Sequence, residues 1–301
     1  MCANYTPPPP RALRERLPFV QRQPVTEPRF GYPAEVWPAG EAPVLWQEPS
    51  APSEAPIEPR LARFGLLPGW ARDDKLMRQT YNARSETVAE KPSFRSAWRK
   101  RQFCLIPVQA FFEPNYEDSS GPPVRWRIER GDGAPFCVAG LWEMAWRDEA
   151  PAATPHRSSP PASVAATRSL FDDELPHHPP PMAEALPPRA AQRRQIWSFT
   201  MLTVTAQGHA LMGRFHAPQD EKRSIVVLDA EQSLAWLRAG RDNDEAAARA
   251  LLQALPAQDF VASPSPRAAR SARRGEPAQS PAPSGPDERL PSPPSGPRLL
   301  P

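Results

Sequence analysis

The stretch Phe103-Cys-Leu-Ile-Pro-Val-Gln-Ala-Phe-Phe112, with Glu113 directly behind it, carries the strongest structural signal in the chain. Only Gln109 among these residues has a polar side chain. A short apolar run rich in aromatic and branched side chains reads as a buried strand. Downstream, Phe136-Cys-Val-Ala-Gly-Leu-Trp142 reads the same way, and Val124-Arg-Trp-Arg-Ile128 alternates as a half-exposed strand does. Ser198-Phe-Thr-Met-Leu-Thr-Val-Thr205 and Lys222-Arg-Ser-Ile-Val-Val-Leu228 continue the sheet. Upstream, Arg60 to Trp70 is a strand running into the turn at Pro68-Gly69, and residues 28–47 end in the strand-like Val44-Leu-Trp46.

Helical patterns are fewer. Residues 11–20 form an amphipathic stretch whose helix ends before Pro18, and Ser93 to Arg101 puts Phe94, Ala97 and Trp98 on one face. Residues 81–90 have Asn82 or Ser85 as a helix cap. Glu231 to Leu237 and Asp244 to Leu255 are amphipathic helices, and order is expected to end near Val261. Many short strands without alternating strand–helix units predict an α+β fold around a curved or barrel-like, mostly antiparallel sheet.

The 44 prolines crowd into residues 6–10, 151–188 and 256–301. Segments of Pro, Ala, Ser and Arg bury too little apolar surface to offset chain entropy, so these read as disordered. What remains is about 200 residues, enough for one domain. It is expected to span 2–262, with a disordered insertion at about 147–195 and a disordered tail at 263–301. The net charge of +3 is local: the tail holds six Arg against three acidic residues, which leaves residues 1–262 neutral. Any nucleic-acid contact must therefore come from a local patch. Arg84 to Arg101 offers one, with six basic residues against Glu86 and Glu90.

Three cysteines make neither a disulfide framework nor a metal-ligand cluster, and no phosphate-binding loop or metalloprotease motif is present. No metal or cofactor is expected. No apolar run reaches the roughly 18–20 residues of a membrane span, and no secretory h-region follows the first arginines. A cytoplasmic protein that does not engage a membrane is the expectation.

Cys2 is the residue with unusual chemistry. If Met1 is removed, Cys2 carries a free α-amine with a pKa of about 7.7–8.0 beside a thiol of about 8.5. An aldehyde can condense with the amine to an imine, which the sulfur then closes into a thiazolidine. An internal cysteine cannot do this, because its nitrogen is an amide. Met-Cys can also be an accident of the start of the chain. Glu113 read alone is a surface or salt-bridged residue, Asn82 a cap or turn residue, His216 a loop histidine, and Trp70 a core aromatic.

Taken in order, Cys2, FGLLPGW at 64–70, NARSET at 82–87, KPSFR at 91–95, CLIP at 104–107 with FFEP at 111–114, GLWE at 140–143, FTMLTVTA at 199–206 and the lone His216 form one constellation. It resembles the SRAP (SOS response-associated peptidase) family, the abasic-site processing proteins, over roughly residues 2–237. The resemblance implies a monomer that binds single-stranded DNA and crosslinks abasic sites through its N-terminal cysteine, nucleoid-associated if bacterial. By position it implies Cys2 as nucleophile and Asn82 as the group holding sugar hydroxyls or the α-amine. Glu113 would act as acid and base in sugar ring opening and imine formation, and His216 would assist ring opening and reversal. Arg84 would bind phosphate, and Trp70 could stack on an unpaired base. A carboxyl at a buried strand end is expected to have its pKa raised by desolvation.

The chain departs from the family at its start, Cys2-Ala3-Asn4-Tyr5 in place of Cys-Gly-Arg-Phe, and after His216, where Ala-Pro-Gln-Asp-Glu-Lys-Arg replaces Asp-Arg-Met-Pro. Two other readings stand beside this one. One is an N-terminal-nucleophile peptidase or amidohydrolase acting on other substrates. The other is a single-strand-binding module in which Cys2 is incidental.

Overall fold

The structure is a computed structural model that describes residues 2–17, 31–47, 52, 57–117, 121–148 and 193–266. The elements run β1 (Asn4–Thr6), α1 (Pro10–Arg16), β2 (Glu41–Trp46), β3 (Glu58–Phe64), β4 (Asn82–Arg84), α2 (Arg95–Arg99), β5 (Phe103–Val108) and β6 (Ala110–Asn115). They continue with β7 (Val124–Arg130), β8 (Phe136–Asp148), β9 (Arg193–Thr205), β10 (Arg223–Ile225), β11 (Val227–Leu228), α3 (Ala230–Arg241), α4 (Glu245–Ala250) and β12 (Phe260–Pro264).

The strands form two sheets. One is four-stranded in the order β1-β6-β7-β12. The other runs β10-β9-β3-β2-β5-β8-β11, and β9 also pairs with β8, so the path from β9 through β3, β2, β5 and β8 returns to β9. Pairing is antiparallel except where β3 and β4 run parallel to β9. This is the expected α+β architecture with a mostly antiparallel, curved sheet.

Side-chain alternation explains why the ring forms. Val44 and Trp46 of β2, Phe64 of β3, Cys104, Ile106 and Val108 of β5, Trp142 of β8, and Phe199 and Met201 of β9 share one core. The residues between them, Leu45, Leu105, Ala139, Leu141 and Leu202, belong to a second core with Trp98 of α2 and Trp236 of α3. Strand β5 is therefore covered on both faces, which is what makes it a continuous apolar run in sequence. Trp46, Trp142 and Trp197 stack within the ring at centroid distances of 5.2–5.4 Å.

Several expectations are corrected. The run from Phe103 to Glu113 is two strands, not one. It breaks at Gln109, whose N–H bonds Thr6 O at 2.8 Å, so β5 stays in the ring while β6 joins the other sheet. Glu113 consequently lies inside β6, opposite Trp126. Residues 81–90 are not a helix: Asn82 to Arg84 pair with Met201 to Thr203, and the chain then turns, with Thr87 N–H on Arg84 O. Residues 222–228 split at Val226, which bonds Leu202 on one side and Ala139 on the other.

Prolines were over-read as disorder. Pro7 and Pro8 are buried, and Pro10 opens α1, where a missing N–H costs nothing. Strand β12 pairs with β7 as far as Pro264, and Ser265 N–H bonds Arg125 O, so order passes the expected boundary at 262. The core of the expected insertion (149–192) and most of the tail (267–301) lie outside the described residues. Among the described residues, no helix is long and apolar enough to cross a membrane.

Candidate active site

Strand β1 lies antiparallel to β6 with Asn4 opposite Phe112. That register brings the start of the chain alongside Glu113. Cys2 is fully buried, and its Sγ donates to Asn4 O at 3.4 Å. Asn82 reaches the same place from another direction. Its strand is held against β9, and its Nδ2 donates to Cys2 O at 2.9 Å. His216 arrives on the segment before β10. Phe215 bridges to Asn115, and His216 N–H donates to Pro114 O at 3.1 Å, directly beside Glu113. The imidazole Nε2 then lies 3.3 Å from Glu113 Oε2. That is an ion-pair distance, with the ring off the line of a hydrogen bond. Four residues far apart in sequence thus converge through two sheets and one loop.

The cluster is buried yet incompletely satisfied. Glu113 and His216 are only 2% and 6% exposed. Asn82 Oδ1, His216 Nδ1 and Tyr5 Oη are buried atoms that make no hydrogen bond. Each such group costs about 1–3 kcal/mol when left unpaired, and unpaired groups collected at one place fit a site that completes its bonds with a ligand. His216 also has φ +68°, the left-handed region that a non-glycine residue rarely adopts.

Electrostatics separates the roles. Burial pushes the Cys2 thiol well up, and the Glu113 charge pushes it further, against the lowering by the chain's α-amino group and backbone bonds. The thiol is therefore protonated at rest. Burial also raises the Glu113 carboxyl, but in the chain that keeps Met1 the α-amino charge of Met1 and His216 outweigh it, and the carboxyl ends below its usual value. The expected raised pKa of Glu113 is thus reversed by its neighbours. Glu113 is a carboxylate beside a protonated thiol, the arrangement of a general base and its proton source.

Tyr81 belongs to the same surroundings. Its phenol is raised by burial and then by the charges of Glu113 and Cys2, and its ring meets Phe64 edge-on at 5.7 Å. In sequence Tyr81 carries no sign of this beyond its adjacency to Asn82. Arg84 is two residues along β4 from Asn82 and half-exposed, with its guanidinium on Glu221 at 2.8 Å. Trp70 is 59% exposed and so is not a core residue. The basic run at 99–101 divides: Arg101 is drawn into helix packing by Trp98 O and Glu245, while Arg99 and Lys100 stay at the surface. His209 is structural, with Nε2 on Leu255 O and Nδ1 accepting from Leu211 and Met212 N–H. Cys104 and Cys137 are buried thiols, the latter pushed up to about 12 by desolvation. Among the described residues no group of His, Cys, Asp and Glu could hold a metal ion.

Known proteins share sequence and fold with this chain. The sequence profile of the family described as SOS response associated peptidase (SRAP) matches residues 1–269. Over 81 residues the chain is 41% identical to abasic site processing protein YoaM of Bacillus subtilis and 40% identical to abasic site processing protein YoqW of the same organism. Each match covers 27% of this chain, and the chain spans about a third (35%) of the length of these relatives. A crystal structure of a protein from Bordetella bronchiseptica superposes with a TM-score of 0.61 at 27% identity, covering 88% of this chain and 99% of that one. One from Bacteroides thetaiotaomicron shares the fold at TM-score 0.51 and 18% identity, over 76% of each chain. With its profile matched from the first residue through β12, the chain belongs to the SOS response associated peptidase (SRAP) family.

Proposed function

We propose that this protein captures abasic sites in single-stranded DNA as a covalent thiazolidine on Cys2, shielding them from strand cleavage. The observation that carries the reading is the convergence of buried Cys2, Glu113 and His216 with the half-buried Asn82 in one cluster. Removal of Met1 frees the Cys2 amine, and the peptidase character in the family's name fits hydrolysis of the bond before Cys2. An abasic deoxyribose is mostly a closed hemiacetal, so an acid–base group must open it to the aldehyde. Glu113 and His216 serve that step. The amine then attacks the aldehyde carbon, and water leaves as the imine forms. Last, the sulfur adds to the imine carbon, closing the five-membered ring while the imine nitrogen regains a proton. A thiol held protonated by burial and by a neighbouring carboxylate must surrender its proton as it attacks, and Glu113 is placed to take it. Asn82, already on Cys2 O, orients the nucleophile and offers its unpaired Oδ1 to the amine or the sugar. Arg84 supplies a phosphate contact, and exposed Trp70 a stacking surface.

The test is incubation of purified protein with a single-stranded oligonucleotide carrying one abasic site. A band that survives denaturation and needs the abasic site supports the proposal. Peptide hydrolysis without such a band supports an N-terminal-nucleophile peptidase. A salt-sensitive, wholly non-covalent shift supports a binding module.

A further inference from the structure

The segment after His216, Ala-Pro-Gln-Asp-Glu-Lys-Arg, is where the chain departs from the family pattern. The structure gives Lys222 a definite task. Its Nζ donates to His216 O at 3.1 Å and to Ala217 O at 2.9 Å. Its own backbone is fixed to the sheet, since Ala206 N–H donates to Lys222 O at 2.8 Å. The next residue, Arg223, is 3% exposed, with both terminal nitrogens on Glu86 and further bonds to Glu221 and Thr203. Lys222 is thus an arm reaching from just before the start of β10, where its backbone is tied to the end of β9, to the backbone of His216.

His216 needs such an arm. Left-handed backbone costs a non-glycine residue about 1–2 kcal/mol. A loop left to itself would relax, turning the imidazole away from Glu113. Two bonds oppose this: Pro114 O takes the His216 N–H on one side, and Lys222 takes the His216 carbonyl on the other. An ammonium shared between consecutive carbonyls is a charge-assisted contact, roughly twice as strong as a neutral one.

We infer that Lys222 is a positioning residue, which holds His216 in its left-handed conformation and so keeps Nε2 at ion-pair distance from the Glu113 carboxylate. The inference rests on the abasic-site reading for its assay and on His216 taking part in the reaction. Lys222 touches no reacting atom. It acts only through His216, and its effect must vanish when the imidazole is gone.

The experiment measures single-turnover crosslinking to an abasic oligonucleotide at saturating protein for wild type, Lys222→Met, Lys222→Arg, His216→Ala and the double variant Lys222→Met/His216→Ala. Affinity for an undamaged oligonucleotide and melting temperature are measured alongside. Misplacing a catalytic group by about an ångström can cost up to about 100-fold, so Lys222→Met is expected to slow crosslinking by about tenfold or more. Lys222→Arg, which can still reach both carbonyls, should recover most of the rate. The double variant should be no slower than His216→Ala alone, because groups acting as one unit are not additive. A wild-type rate in Lys222→Met overturns the inference, as does a Lys222→Met defect that multiplies with that of His216→Ala. Weakened binding to undamaged DNA with an unchanged saturated rate also overturns it, making Lys222 a phosphate contact. If Lys222→Met does not fold, a Lys222→Arg rate as low as that of His216→Ala overturns it instead. A wild-type rate in His216→Ala defeats the role of His216 and this inference with it, while the crosslink itself still stands. Absence of a crosslink in wild type defeats the abasic-site reading.

Discussion

At the residue scale, the site is defined by what its neighbours do to Glu113. Burial alone would make this carboxyl a weak acid. In the chain that keeps Met1, the Met1 α-amino charge and His216, 3.3 Å away, hold it ionised instead. Glu113→Gln keeps the shape and removes proton transfer. It should slow single-turnover crosslinking by about 10²–10⁴-fold while leaving affinity for undamaged DNA near wild type. An unchanged rate excludes the role. The sign of the pH dependence follows from the lowered pKa. Glu113 is ionised above it, so its contribution to rate persists through neutral pH and is lost only as pH falls below the usual carboxylate value of 4.5. Stability behaves likewise. The contribution of a carboxyl with a depressed folded pKa is present above the unfolded value and lost as pH falls through the folded one. The stability gap between wild type and Glu113→Gln should therefore be present at neutral pH and close as pH falls through that acid window.

At the element scale, the site depends on β9 being held from both sides. Gly140 of β8 faces Met201 of β9, and a methyl group there would clash with Ile106 Cδ1 and lie 2.6 Å from Thr200 O. Thr200 O is backbone and cannot move aside alone. Gly140→Ala should therefore destabilise the fold by about 1–3 kcal/mol or more, read as a lower melting temperature. A melting temperature equal to wild type would show that the ring tolerates local opening. The elements themselves were legible wherever burial produces periodicity: β2, β3, β5, β7, β8, β9 and α3 all appear as apolar or alternating runs. Breaks inside apolar runs were not legible, because Gln109 and Val226 are divided by hydrogen-bond partners far away in sequence. Strand β4 was hidden for a similar reason. Three residues, Asn-Ala-Arg, have no period, and only pairing with β9 makes them a strand. Of the candidate site, the motifs name Cys2, Asn82, Glu113 and His216, which the fold brings together, but the sign of the Glu113 shift and the arm from Lys222 needed three dimensions.

At the scale of the whole molecule, the described residues form part of a compact unit that ends at residue 266. Its last strand closes the four-stranded sheet that also holds β1 and Glu113. Deleting 267–301 should leave crosslinking nearly intact, since none of the motifs that resemble the family lies there, and a loss above about tenfold at moderate salt would place the tail in the site. Cutting after 262 removes the pairing of Ser263 and Pro264 with β7 and should lower the melting temperature. The same sheet presents Cys2, and the central claim is that its nitrogen and sulfur react together. The most direct measurement inserts one Ala between Met1 and Cys2 and follows adduct formation with an abasic oligonucleotide by intact mass. Every side chain is retained, but the Cys2 nitrogen remains an amide and cannot form the imine. The account predicts no heat-stable adduct from this variant and a full one from wild type. An adduct of wild-type yield from the insertion variant would contradict it.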